Sequence, residues 1–383
     1  MPAFKSRIES ALAERKTQGL NRSMNVVFAG NQSVLEHEGR RYINFSSNDY
    51  LGLANDQALV RAWQQGLSVY GSGSGASPMV TGFSAAHSNL EAALTEWLGY
   101  DRAILFGSGF SANQALLFTL LEKSDVLIQD RLNHASLMEA GALSPAKMKR
   151  FKHNDIEHLK SLINSEDNHL VVTEGVFSMD GDCAPLTDIA EVTRSHDAWF
   201  AVDDAHGIGV LGQSGGGSCE LATVKPEILI VTFGKAFGMS GAAILCDHAT
   251  GDFLTQFARH HVYSTAMPPA QAYALTHAVS IVQEQSWRRE KLSELSEVYR
   301  DCLSDLEGFV ETQTSIKPFV IGESELALQV ASACRQNGIW ATAIRPPTVP
   351  KGTSRLRITL TANHTNEQVK TLSMALKQAL GAL

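Results

Sequence analysis

Lys235 stands in Val231-Thr-Phe-Gly-Lys-Ala-Phe-Gly238, directly after an apolar run and among small residues that leave its amine uncrowded. Burial there would lower the lysine pKa from its usual ~10.4 and favour the neutral amine, the form that attacks a carbonyl to make a Schiff base. Taken alone, a glycine-flanked lysine reads more readily as a surface residue of a glycine-rich loop. A phosphate-binding loop is excluded, because no glycine stands five before Gly234 and no Ser or Thr follows Lys235. Asp203-Asp-Ala-His206 closes another apolar run, Trp199-Phe-Ala-Val202. Asp203 is suited to accept a hydrogen bond from a pyridine nitrogen and so keep that ring protonated and electron-withdrawing. His206 stands where a phenolic oxygen of the same ring could be met. A helix N-cap or a metal site are the other readings, and the metal reading lacks further ligands at short spacing.

Gly107-Ser-Gly-Phe-Ser-Ala112 joins an apolar run to a helical pattern, so the amides of Gly109 and Phe110 could hold a phosphate at a helix start. The same letters satisfy a loose Gly-x-Gly-x-x-Ala fingerprint with Asp130 ending the next run, which keeps a nicotinamide-dependent dehydrogenase open as an alternative. That alternative gives Lys235 and Asp203 no task. His134, in Asn133-His-Ala-Ser136, is suited to lie on a planar ring, or is a solvated loop histidine. Arg355-Leu-Arg357 alternates along a strand and puts both guanidinium groups on one face, where Arg357 could grip a carboxylate with two hydrogen bonds. An exposed basic edge strand is the plainer reading.

These groups need a frame that brings loop residues together. Ala103–Phe106, Val126–Ile128, Leu170–Thr173, Trp199–Val202, Ile228–Val231 and Ala242–Leu245 are short apolar runs separated by helical patterns. That rhythm predicts an α/β fold with a mostly parallel central sheet and helices on both faces, its ligand at the carboxyl ends of the strands. After about residue 250 long helices over 270–308 give way to strand-like 317–321, a helix near 323–337, and strand-like 339–344 and 355–359, a smaller α+β C-terminal domain. The expected division is an N-terminal helical or extended segment 1–45, a large domain 46–288 and a small domain 289–383. Arg345-Pro-Pro-Thr-Val-Pro350 is expected to be a rigid loop between two strands.

At 383 residues, 44% hydrophobic and 19% charged, the composition is that of an ordinary globular protein of two domains. A net charge of −8 argues against a nucleic-acid surface while leaving room for local basic pockets. Five scattered cysteines without Cys-x-x-Cys or metal spacing fit a reducing, cytoplasmic setting. Phe4, Ile8 and Leu12 recur at helical spacing among charges, an amphipathic helix rather than a signal peptide, and no apolar stretch is long enough to span a membrane.

The ordered set Ser47-Asn-Asp-Tyr-Leu-Gly52, Asn133-His-Ala-Ser136, Thr173-Glu-Gly-Val-Phe-Ser-Met-Asp-Gly181, Val202-Asp-Asp-Ala-His-Gly207, Thr232-Phe-Gly-Lys235, Tyr263-Ser-Thr265 and Arg355-Leu-Arg357 resembles the α-oxoamine synthases, fold-type-I pyridoxal-phosphate transferases. The resemblance runs from about Asn44 to His364. It implies pyridoxal 5'-phosphate as cofactor, no metal, and a homodimer whose sites lie at the subunit boundary. Lys235 would be the Schiff-base lysine and Asp203 the partner of the ring nitrogen. His134 would stack on the ring, and His206 with Ser178 would border the phenolic oxygen. Gly109, Phe110 and Thr232 would bind phosphate, with Ser264 or Thr265 added from the other subunit. Asn48 and Arg357 would hold the amino-acid carboxylate, and Arg22 the far end of an acyl chain. Phe45–Leu53 and Ala343–Pro350 look most like the branch that condenses L-alanine with a pimeloyl thioester, of coenzyme A or acyl carrier protein, in biotin biosynthesis. Members that use glycine, such as glycine C-acetyltransferase or 5-aminolevulinate synthase, remain the alternative.

Overall fold

The computed structural model of the chain describes residues 3–164 and 166–381. Its strands are β1 (Val34–His37), β2 (Arg40–Asn44), β3 (Arg102–Phe106), β4 (Val126–Asp130), β5 (Lys147–Phe151), β6 (His169–Glu174), β7 (Trp199–Asp203), β8 (Ile228–Thr232), β9 (Ala242–Cys246), β10 (Ile316–Gly322), β11 (Ile339–Trp340), β12 (Thr342–Ile344) and β13 (Ser354–Thr359). Seven of them make the central sheet in the order β3-β9-β8-β7-β6-β4-β5. β5, β4, β6, β7 and β8 are parallel, and β9 runs against both β8 and β3.

The apolar runs become strands because both faces are covered: β4, β6, β8 and β9 are buried at every residue. Side chains that alternate along a strand enter two separate cores. Leu105, Val171, Val231 and Leu245 join one. Ile104, Val172, Ile230 and Ile244 join the other, with Ala112, Leu116 and Leu137 from the helices Gly109–Leu120 and Ala135–Leu143.

The later part of the chain forms the antiparallel sheet β10-β13-β12, with helices Ser324–Gln336 and Asn366–Gly381, and residues 345–353 connect β12 to β13. The segment 339–344 is not one strand. The chain changes partners at the buried Ala341: β11 pairs with β2, in parallel, and β12 pairs with β13. The first helix, Ala3–Thr17, forms, but its apolar stripe is uncovered, with Phe4, Ile8 and Leu12 exposed by 71%, 56% and 64%. No helix among the described residues is long and apolar enough to cross a membrane.

Helices Gln57–Tyr70 and Pro269–Glu284 pack closely at Gly66, where an added Cβ would lie 2.8 Å from the Ala270 carbonyl oxygen. Gly66→Val must therefore separate the two helices, at a cost of about 1–3 kcal/mol. The urea midpoint should fall at constant slope; an unchanged midpoint would show that the contact tolerates a side chain.

Candidate active site

Parallel neighbours end at one edge of their sheet, and the register fixes which residues meet there. Glu174 at the end of β6 is level with Asp203 at the end of β7, and Thr232 closes β8 beside them. Thr232 and Phe106 face the same residue of β9, Ala242, so the turn that follows β3 opens on the same edge. The result is a cavity of about 290 Å³ lined by Lys235, Asp203, Glu174, His206, His134, Asn48, Thr232 and the turn Gly107–Phe110.

Asp203 is nearly buried, and its carboxylate is held from two sides. Oδ1 accepts the Ala205 N–H at 3.1 Å, and Oδ2 accepts the Asn113 amide at 2.8 Å. The same Asn113 amide nitrogen donates to Ser136 Oγ at 2.9 Å, and Ser136 Oγ lies 2.7 Å from His134 Nδ1. The Ser136 backbone N–H also reaches that Nδ1, at 3.2 Å, so Nδ1 is the acceptor nitrogen of the ring. His134 caps the helix Ala135–Leu143 in this way and is fixed in orientation while its ring stays exposed.

Charge in the cavity is coupled. Burial lowers the Lys235 pKa, against the pull of Asp203 and Glu174, which favour the ammonium. Burial and then the Asp203 carboxylate push Glu174 well above the usual carboxylate range, so Glu174 holds its proton more strongly. His206 lies well below its ordinary value through burial and then the positive charges of Lys235 and Arg357, so its ring is neutral. His134 is lowered as well, by burial first.

The turn after β3 makes a cradle. Ser108 caps the helix Gly109–Leu120, its hydroxyl accepting the Ser111 N–H at 3.1 Å, which leaves the first amides of that helix without helical partners. Gly109 is required by closeness: an added Cβ would lie 2.7 Å from Thr232 Cγ2. Thr232 Oγ1 is buried and has no hydrogen-bond partner among the described residues. Amides at a helix start beside a free hydroxyl suit a phosphate group. With an amine for a carbonyl at Lys235 and a fixed carboxylate for a ring nitrogen at Asp203, the donor set fits pyridoxal phosphate.

Arg357 and Arg355 share a face of β13, but their tasks differ. Arg355 is committed to Asp180, at 2.5 Å. Arg357 gives Nε to the Ser178 carbonyl at 2.7 Å and Nη1 to Asn48 Oδ1 at 2.9 Å, which leaves its remaining N–H groups available. Ser178 thus contributes its main chain as a support for Arg357. Asn48 also lies 3.3 Å from the Tyr50 hydroxyl, which is 2.7 Å from His206 Nδ1.

Three anticipated residues lie elsewhere. Ser264 and Thr265 border a separate cavity of about 140 Å³, which shares only Gly107 and Ser108 with the Lys235 cavity. Arg22 lines a third, of about 650 Å³, with Arg345 and Thr348, and its Nη2 lies 3.4 Å from Thr348 Oγ1. Asp130, the acid a dinucleotide fingerprint would use, is fully buried and accepts from the Leu132 and Asn154 N–H groups and from His153. It is thereby closed to a ribose hydroxyl. Sequence reasoning gave no task to Asn113, Ser136, Glu174 or Tyr50. All but Asn113 stand inside motifs that the family resemblance quotes, whereas Asn113 lies a turn into a helix with nothing local to mark it.

The sequence model of the aminotransferase class I and II family matches residues 40–376. The 8-amino-7-oxononanoate synthase of Vibrio campbellii is 92% identical over 383 residues, covering 100% of both chains. Among solved structures, the 8-amino-7-oxononanoate synthase of Francisella tularensis is 29% identical with a TM-score of 0.79, covering 89% of this chain and 98% of that one. A serine palmitoyltransferase of S. paucimobilis, solved with a bound pyridoxal-phosphate–myriocin aldimine, is 27% identical with a TM-score of 0.91, covering 98% and 97%.

In the cofactor-free protein Lys235 should react with an amine-selective acylating reagent at lower pH than surface lysines do, as peptide mass spectrometry across a pH series can measure. Asp203→Asn removes a charge that supports the ammonium, so the labelling midpoint should move to still lower pH. An upward move would contradict the charge balance described above.

Proposed function

The chain belongs to the class I and II aminotransferase family and, within it, to the 8-amino-7-oxononanoate synthases, and from that premise we propose that it condenses L-alanine with a pimeloyl thioester. The products are 8-amino-7-oxononanoate, carbon dioxide and the free thiol of coenzyme A or acyl carrier protein, a step of biotin biosynthesis. The observation that carries the reading is one cavity in which the Lys235 amine faces Asp203, the helix-start cradle and Asn48, with Arg357 bonded to Asn48.

Bound pyridoxal phosphate supplies an electron-withdrawing ring that accepts the electron pair left on the α-carbon of the amino acid. Asp203, held by Ala205 and Asn113, accepts the hydrogen bond of the ring nitrogen. His134, its orientation fixed through Ser136, covers one face of the ring, and neutral His206 meets the phenolic oxygen. Gly109, Phe110 and Thr232 hold the phosphate. Lys235, its amine made less basic by burial, anchors the carbonyl and takes the α-proton of alanine. Arg357 and Asn48 hold the alanine carboxylate until it leaves as carbon dioxide.

Exposed apolar residues support a homodimer: Met79, Val80, Phe83, Phe110 and Tyr263 are all exposed, Phe110 lining the Lys235 cavity and Phe83 that of Ser264 and Thr265. In the dimer, Ser264 and Thr265 add to the partner's phosphate site. Arg22 and Arg345, on their shared cavity, receive the far carboxylate of the acyl chain. A soluble, cytoplasmic enzyme completes the reading.

With carboxyl-labelled L-alanine and pimeloyl-CoA the purified enzyme should release labelled carbon dioxide, and Lys235→Ala should abolish the release. Faster kcat/KM for glycine with acetyl-CoA or succinyl-CoA would overturn the substrate assignment. Arg357→Gln removes a charged hydrogen bond worth about 1.5–3 kcal/mol, so kcat/KM for alanine should fall roughly 10–150-fold while the cofactor stays bound. Unchanged kcat/KM would remove Arg357 from the carboxylate.

A further inference from the structure

A second cavity, of about 300 Å³, lies between the helix Trp287–Leu303 and residues 309–317, with Val210 and Leu211 on its third side. It shares no lining residue with the cavity of Lys235. Part of its wall is apolar, from Val210, Leu292 and Phe309. The rest is polar, and two of its hydroxyls have no hydrogen-bond partner among the described residues.

Lys317 is only 3% exposed, and its ammonium donates to a single acceptor, the Thr312 carbonyl at 2.8 Å. Among the described residues no carboxylate lies within the 4.0 Å of an ion pair with it. A buried cation without a counter-ion is strongly disfavoured, and the lysine responds: burial lowers its pKa to about 8. Two hydroxyls of the same wall, Tyr299 OH and Ser315 Oγ, are buried without any hydrogen-bond partner among the described residues. A buried polar group left unpaired is unfavourable, and a ligand oxygen would relieve it. Arg300 stands at the rim, half exposed and only loosely paired with Glu311 at 3.8 Å. Nothing in the chemistry around Lys235 uses any of these groups.

Three donors and a positive charge around a partly apolar void match one kind of guest, a small group with several acceptor oxygens and a negative charge. We propose that this cleft binds a small oxyanion, a carboxylate or a phosphate, through Lys317 Nζ, Tyr299 OH and Ser315 Oγ, with Arg300 at its mouth. Glu297 and Glu311 also line the cleft and limit its net positive charge, so a singly or doubly charged ion suits it better than a polyanion.

The test uses the holoenzyme, whose phosphate cradle is already filled by cofactor. Inorganic phosphate and butanoate are titrated separately, with chloride as the ionic-strength control, by calorimetry and by the thermal midpoint. One of them should bind saturably with one site per chain and raise Tm. Tighter phosphate points to a phosphate ligand, and tighter butanoate to an organic carboxylate that uses the apolar wall. Lys317→Met should weaken binding at least tenfold and cancel the ligand-induced rise in Tm. Its own Tm without ligand should exceed that of the wild type, because a buried unpaired cation has been replaced by an apolar chain of similar length. Ser315→Ala, a smaller change, should weaken binding at least threefold and keeps the question decidable if the lysine variant does not fold. Absence of saturable binding of both probes to the wild type, or binding unchanged in the foldable variants, overturns the proposal.

Discussion

The Asp203 carboxylate is 5% exposed at the end of β7, where an isolated anion would cost several kcal/mol. Its neighbours are arranged around that cost. The Ala205 N–H and the Asn113 amide donate to it, and the Lys235 amine feels its charge across the cavity. The parallel register of β6 and β7 then places a second acid, Glu174, level with it. Burial and then the neighbouring Asp203 carboxylate raise the Glu174 pKa, so Glu174 keeps its proton more firmly. The hydrogen bonds to Asp203 continue through Asn113 and Ser136 to His134, so the same network that holds the anion also orients the histidine.

A second set of contacts ties the smaller sheet to this edge. Arg357 leaves β13 to bond Ser178 and Asn48, and Asn48 continues through Tyr50 to His206. Arg355, two residues away on the same face, is neutralised by Asp180. The alternation of a strand puts two guanidinium groups side by side, and a single aspartate decides which keeps free donors. Both arginines thereby grip residues 178–180, a loop that follows β6, and bind the two sheets together at the site.

Much of this was legible because fully buried parallel strands are continuous apolar runs. The six runs of the central sheet are recognisable without tertiary information, and polar residues just beyond them must gather at one edge. β5, Lys147-Met-Lys-Arg-Phe151, escaped because an edge strand with Lys147 and Arg150 exposed lacks that signature. The division of 339–344 escaped because its cause is pairing with β2, nearly 300 residues earlier in the chain. Asn113 escaped because its amide matters only once its helix is packed on the sheet and brings it within 2.8 Å of Asp203 Oδ2. Ser264, Thr265 and Arg22 occupy cavities of their own within one chain, so no local pattern could have joined them to Lys235.

The parallel pairing of β11 with β2 also bears on how the molecule comes into being. The hairpin β1–β2 leaves the ribosome well before β11, and the edge of β2 that receives β11 stays open until residue 340 has been made. Asn48 likewise waits for Arg357. An emerging chain can build its central sheet while its first strands still lack a neighbour, and that interval is when an unpaired edge is most open to other chains. Synthesis order thus makes β11 and Arg357 the seal on β2 and Asn48.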